Sequence, residues 1–416
     1  MKTTCLSWLR LGEVHPRLKI AAAFAATVCA TVVLTVLLSL AVDVLSGIFS
    51  GNEFLALGFP LAGLGTWLVY RAVDVPFTWG TGHIVGNVEA DGDVSARVIP
   101  AVFLGTCATI LVGGSVGKEA AALQMGGGAA ASIARMLGLD RDAGRMLCAC
   151  ALSSALSALL GAPIAGALFA IEVMQLRSRR LLDYVAIMAA ALISKAAAYG
   201  LSLDRLFADI SVPDASFKIA GHVLLVSILC ALLAMGFCFS LKLLRSLSSR
   251  RRRQLPLLIA AGVAFCVFIL LCGGGAYSGT GMVELNLALS GVVNTPFFAP
   301  KALFTLLVLG MGFKGGEIMP TLCIGATLGS FYGHVAGIEP SFMAALALIA
   351  YFSACTNCPA AAFALACEAF GVSAAGWFFI SSVVACVFSY RFSLYSNTSL
   401  YSGMVKGAGI KNDRRR

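Results

Sequence analysis

Two carboxylates stand where this chain can least easily hold a charge. Glu119 ends the run Gly113-Gly114-Ser115-Val116-Gly117-Lys118-Glu119, and Glu317 lies within Phe313-Lys314-Gly315-Gly316-Glu317-Ile318-Met319-Pro320. Both runs interrupt long apolar stretches. An ionisable group in such a place is a functional candidate by default, because it can trade a proton or compete with another anion for a site. The glycines allow close backbone approach. A helix that starts there points free N–H groups and the positive end of its dipole at whatever lies beyond, which suits an anion. Two more segments share this character. Trp79-Gly80-Thr81-Gly82-His83-Ile84 offers the Thr81 hydroxyl as a donor, and Ser393–Tyr401 offers the hydroxyls of Tyr395 and Tyr401.

Each segment also has a plainer reading. The first could be an ordinary loop, and Lys118 and Glu119 could form a structural ion pair. Glu317 could simply favour a helix N-terminus. The tyrosines could belong to an interfacial belt. Other chemistry is poorly served. Gly117-Lys118 is followed by Glu119 rather than the Ser or Thr of a phosphate-binding loop. His15, His83, His222 and His334 make no i,i+4 pair, and Cys355 and Cys358 stand alone at CxxC spacing, so no metal site is expected. No nucleophile elbow occurs. The expectation is a protein with no catalytic residue and no cofactor.

The elements that position these residues are membrane helices. The 416 residues are 59% hydrophobic and only 12% charged, too little charge to cover a soluble surface of this size. A membrane helix needs about 20 apolar residues. Lys19–Phe49, Phe54–Tyr70, Val98–Val112, Tyr184–Leu201, Ile219–Leu241 and Leu255–Leu271 reach or approach that length. The runs are continuous, not alternating, which predicts helices rather than a barrel. The net charge of +10 gathers at Lys2/Arg10/Arg17/Lys19, Arg177/Arg179/Arg180, Lys242/Arg245/Arg250–Arg253 and Lys406/Lys411/Arg414–Arg416. These clusters abut span ends. The positive-inside rule therefore places them, and both termini, in the cytoplasm, and a nucleic-acid partner is not expected. The acidic stretch 202–216, with Asp204, Asp209 and Asp214, reads as an external loop. It divides the chain into an N-terminal segment (1–17) and first membrane half (18–201), then a second half (217–407) and a basic tail (408–416).

The halves echo one another. Ser157–Glu172 and Ser353–Glu368 share Ser, Ala, Pro, Ala, Ala and Glu without a gap, and Gly117-Lys118-Glu119 pairs more loosely with Gly315-Gly316-Glu317. Internal repeats in a membrane chain point to inverted-repeat transporters, whose broken helices surround a midplane site.

The four punctuated segments, in this order, resemble the fingerprint of the CLC family of chloride channels and anion/proton exchangers. Gly80-Thr81-Gly82-His83-Ile84 resembles the family's GSGIP, Gly117-Lys118-Glu119-Ala120-Ala121 its G(K/R)EGP, and Gly316-Glu317-Ile318-Met319-Pro320 its GxFxP. Tyr395 or Tyr401 corresponds to its pore tyrosine. The resemblance spans about residues 18–405. It implies an all-α polytopic bundle of tilted and broken helices in inverted repeats, a homodimer in the cell membrane, and no CBS domains. It also implies an anion held near Thr81, Gly82, Gly117, Lys118, Ile318, Met319 and a Tyr, with Glu119 as a protonatable gate. Departures refine this. Thr81 replaces Ser, and Ala121 replaces Pro. Val173 stands where many exchangers carry an inner proton-relaying Glu, as in channel-like members. Glu317 resembles instead a bacterial branch containing fluoride/proton exchangers. Chloride-like conduction gated by Glu119 is the first expectation, fluoride/proton antiport the second, and transport of another solute a distant third.

Overall fold

The computed structural model describes residues 16–83, 94–176, 178, 180–200, 209–248, 253–390 and 392–395. Residues 1–15 of the N-terminal segment, Tyr401, the tail and residues 202–208 of the acidic loop lie outside these. The described residues are helical, with a single isolated β-bridge.

The first group of helices is α1 (Pro16–Gly51), α2 (Phe59–Ala72), α3 (Val98–Leu111), α4 (Glu119–Met136), α5 (Arg141–Leu160), α6 (Pro163–Val173) and α7 (Leu181–Tyr199). The second is α8 (Phe217–Ser248), α9 (Gln254–Cys272), α10 (Met282–Leu289), α11 (Phe298–Met311), α12 (Ile318–Ala336), α13 (Pro340–Thr356), α14 (Pro359–Phe370) and α15 (Ala375–Ser389). Among the described residues six helical segments are long and apolar enough to cross a membrane. At 1.5 Å per residue, α1 and α8 run about 50 Å, more than a bilayer core of about 30 Å, so they tilt or protrude. Helices such as α6 and α14 reach only about 17 Å and end inside the protein.

Two differences from the expected spans have physical causes. Phe54–Tyr70 is not one helix. It opens as a 3-10 turn, Glu53–Gly58, and α2 restarts where Pro60 occupies the first turn, the place proline tolerates. The helix α5 is absent from the expected spans, because Ser153, Ser154 and Ser157 dilute its apolar run. It is nonetheless a central element, and those hydroxyls bond to backbone carbonyls of α7, with Ser157 to Ala191 at 2.7 Å.

The repeat is visible in the backbone. α3 to α6 measure 14, 18, 20 and 11 residues, and α11 to α14 measure 14, 19, 17 and 12. Gly161 and Asn357, at matching places, close α5 and α13 in the left-handed conformation. Pro163 and Pro359 then open α6 and α14.

Those two helices show that the repeats are inverted. Glu172, near the end of α6, accepts hydrogen bonds from the N–H groups of Ala360 (3.1 Å) and Ala361 (2.8 Å) at the start of α14. Glu368, near the end of α14, accepts from Ile164 (3.1 Å) and Ala165 (2.8 Å) at the start of α6. Each carboxylate thus serves the N-terminus of the opposite helix, which requires α6 and α14 to lie antiparallel. In the second half, Gly325, Gly329 and Gly333 let α12 and α13 touch backbone to backbone. A Cβ at Gly329 would sit 2.1 Å from the Met343 carbonyl oxygen. Small residues at i,i+4 spacing commonly allow such contact between membrane helices.

Candidate functional site

The loops before α4 and α12 meet at the centre. Gly117 and Gly316 exchange both N–H···O bonds at 2.6 Å, forming the antiparallel bridge. Nothing larger fits. A Cβ at Gly316 would stand 2.9 Å from Ala120 N, and one at Gly117 would stand 2.5 Å from a Glu119 oxygen. The looser of the two echoes is therefore a physical contact between the halves, and it brings two helix starts together.

Glu119 lies at that meeting point, buried. Its Oε2 accepts from the Met319 N–H at 3.3 Å, a bond from the second half's helix start to the first half's carboxylate. The backbone N–H groups of Lys118 and Glu119 also lie within reach. Oε1 is buried and has no hydrogen-bond partner among the described residues. A buried polar atom left unpaired is uncommon and calls for an explanation. In effect a carboxylate occupies a cradle of amide N–H groups that any small anion would satisfy. Gly117, Ile318 and Met319 share this place.

The Lys118 side chain turns away from it. Its ammonium donates to Ser39 Oγ (2.7 Å) and Asp43 Oδ1 (2.8 Å) on α1. The structural partner of Lys118 is thus Asp43 rather than Glu119, and the ammonium is committed. What Lys118 offers an anion is its backbone.

A cavity of about 630 Å³ opens on the other side of the bridge. Thr81, Gly82 and Glu317 line it together with His83, Gln124, Lys242, Arg245 and Lys314. Lys242 and Arg245, with Lys314 beside them, outnumber the one carboxylate and give this chamber a positive field suited to gathering anions. Thr81 is buried at the start of a short helical turn, and its hydroxyl accepts from Gln124 Nε2 at 3.0 Å. Lys314 is held between the rings of Phe77 (4.0 Å) and Tyr70 (4.5 Å) and donates to the Phe77 carbonyl. Glu317 makes no capping bond to α12. Its carboxylate lies 4.0 Å from Arg245 of α8 and adjoins Tyr395. Tyr395 is buried, edge-on to Phe169 at 6.1 Å, not in a surface belt. Val173 is buried in the packed end of α6.

The candidate residues therefore form two clusters. Gly117, Glu119, Ile318 and Met319 surround the bridge, while Thr81, Gly82 and Glu317 line the cavity, with Tyr395 beside Glu317. Lys118 touches the first through its backbone only. Sequence reasoning missed Asp43, Gln124, Arg245 and Lys314 as members. A lone acid within an apolar span was signal enough for Asp43. The other three become meaningful only once distant segments meet.

A model of the voltage gated chloride channel family matches residues 61–390. The chain belongs to that family. This CLC-family chain is 28% identical over 360 residues to the chloride/fluoride channel protein of Pseudomonas syringae pv. tomato, covering 84% of the present chain and 78% of that one. It is 28% identical over 329 residues to the H(+)/Cl(-) exchange transporter ClcA of Yersinia pestis bv. Antiqua, covering 74% and 68%. Among solved structures, a CLC-type fluoride/proton antiporter matches with a TM-score of 0.83 at 23% identity, over 92% of this chain and 98% of the other. A slow cyanobacterial Cl-/H+ antiporter matches at 0.77 and 20% identity, over 96% and 100%. The likeness of these two CLC structures is one of fold.

Proposed function

We propose that this CLC-family protein carries small anions across a lipid bilayer, with Glu119 as the protonatable gate. The observation that carries the reading is the Glu119 carboxylate in the amide cradle between the two helix starts, held by Met319 N–H and with Oε1 orphaned. An anion that displaces Glu119 gains the same N–H groups. A proton on Glu119 removes its charge and weakens the carboxylate's claim on the cradle. Thr81 and Gly82 face the anion on the cavity side, Tyr395 stands beside Glu317, and Arg245 and Lys314 draw the anion in. The basic residues that follow α8 support a cytoplasmic mouth for the cavity. The working unit is a homodimer with one pathway per chain.

Chloride-like conduction is the first reading, supported by Val173 at the place of the inner relay. Fluoride/proton antiport is the second. Glu317 favours it, because a buried carboxylate in the cavity beside Arg245 and Tyr395 can accept protons from the cytoplasmic side. The names of the relatives span both readings.

Efflux from liposomes tests this. Purified protein is reconstituted, potassium is cleared by an ionophore, and chloride or fluoride release is recorded together with external pH, for wild type and Glu119→Gln. Anion efflux without proton movement supports conduction. Proton movement that tracks fluoride and disappears in Glu119→Gln supports antiport. Folded protein that releases neither anion refutes both.

A further inference from the structure

Thr81 differs from the buried threonines that bond back along their own helices in what its hydroxyl does. Thr66, Thr109, Thr327 and Thr356 each donate their hydrogen to a carbonyl one helical turn back, at 2.8 to 2.9 Å. Thr81 instead accepts, from Gln124 Nε2 at 3.0 Å, and Gln124 is its hydrogen-bond partner among the described residues. A hydroxyl has one hydrogen to give and two lone pairs, whereas an amide NH2 can only donate. With its oxygen engaged by Gln124, Thr81 has its hydrogen free for the cavity that both residues line. Both side chains are buried, so water screens the arrangement little.

We propose that Gln124 is the positioning residue that holds Thr81 as a hydrogen-bond donor and thereby sets which halide the cavity prefers. The proposal deepens the anion-transport reading and rests on it. The segment carrying Thr81 is pinned from both halves of the chain. Lys314 of the second half grips the Phe77 carbonyl four residues before it, and Gln124 of the first half grips Thr81 itself. Gln124 also lies five residues after Glu119 on the same helix, so the gate and the residue that orients the donor share one rigid element. Fluoride is the smaller, more strongly hydrated ion, and it must recover more hydrogen bonding to shed its water than chloride. Losing one aimed donor therefore costs fluoride more.

The experiment compares fluoride and chloride efflux for wild type, Gln124→Met, Gln124→Glu, Thr81→Val and the Gln124→Met/Thr81→Val double variant, each shown to elute as a single folded species. A hydrogen bond to a charged group corresponds to about 10-fold or more. Each single variant is expected to slow fluoride by roughly that factor, to slow chloride less, and so to lower the fluoride/chloride ratio. The double variant should be no worse than the more impaired single. Gln124→Glu keeps the shape of glutamine but turns an acceptor toward Thr81, capturing its hydrogen, and should lower the ratio as Thr81→Val does. Losses that multiply in the double variant overturn the proposal. So does an equal fall for both anions, which marks a packing role, and so does a Gln124→Glu variant with the wild-type ratio. An active wild type with unmoved ratios refutes this proposal alone, whereas a folded wild type silent to both anions removes the transport reading beneath it.

Discussion

The paired acids of α6 and α14 allow a stability effect to be worked out in advance. Consider Glu368→Gln. The native carboxylate accepts two backbone N–H bonds, at 3.1 and 2.8 Å, from the first turn of α6. Bonds to a charged acceptor contribute about 2 kcal/mol each, and a neutral one about 1 kcal/mol. The carboxamide keeps one acceptor oxygen and turns an NH2 group toward the second N–H. Two charged bonds become one neutral bond, a loss of about 3 kcal/mol, and the favourable interaction with the helix dipole goes as well. The site is half-buried, so relaxation and local solvation return part of this, leaving about 2 kcal/mol. Glu172→Gln should cost the same, since its two bonds have the same lengths. The two sets share no atoms, so the double variant should lose about 4 kcal/mol. Thermal unfolding in detergent, followed by loss of the monodisperse peak on size exclusion, measures the order. The midpoint should fall by a few degrees in each single variant and by the sum in the double. A neutral single variant, or a double no worse than a single, would refute the claim that each acid independently caps the other repeat.

Two further outcomes follow from the central contacts. Gly316→Ala drives a methyl group against Ala120 N and the Gly117 carbonyl, both backbone, so the bridge must open. We expect about 2 kcal/mol or more of lost stability and loss of anion efflux, read by unfolding midpoint and liposome assay. Asp43→Ala should destabilise more than Lys118→Met, about 3 against about 1 kcal/mol, because it strands a buried ammonium whereas the converse leaves a carboxylate that water reaches. Equal midpoints for the pair would count against that assignment.

What was legible in the sequence was periodic or local. Apolar runs gave most of the spans, and the glycine-rich interruptions marked the two helix starts that meet. The Ser157–Glu172 echo anticipated α6 and α14, because a repeated proline and a repeated acid survive at fixed spacing when other positions drift. What stayed hidden depends on contacts between distant segments. Lys118 and Glu119 are neighbours in the chain, yet the lysine finds its counter-charge 75 residues earlier on α1. The glutamine that orients Thr81 looks like any polar residue on an Ala-rich helix until the Phe77–His83 turn is laid beside it. Glu317 at a helix start fits a dipole interaction by position alone. Only the third dimension supplies Arg245 and Tyr395 and turns it toward the cavity. Tyr395 adjoins Glu317, and Tyr401 lies outside the described residues.

The exchange of caps between α6 and α14 also fixes a timetable for biosynthesis. The amides at the start of α6 wait for an acid about 200 residues downstream, at separations of 203 and 204. At roughly 5–20 residues per second, the ribosome delivers that acid about 10–40 s after the amides themselves. During that interval the first turn of α6 lacks the carboxylate that caps it in the folded protein, and unmet amides are costly wherever water is scarce. The nascent chain therefore needs a surrogate for its missing half: water held near the translocation machinery, an insertase, or a neighbouring copy.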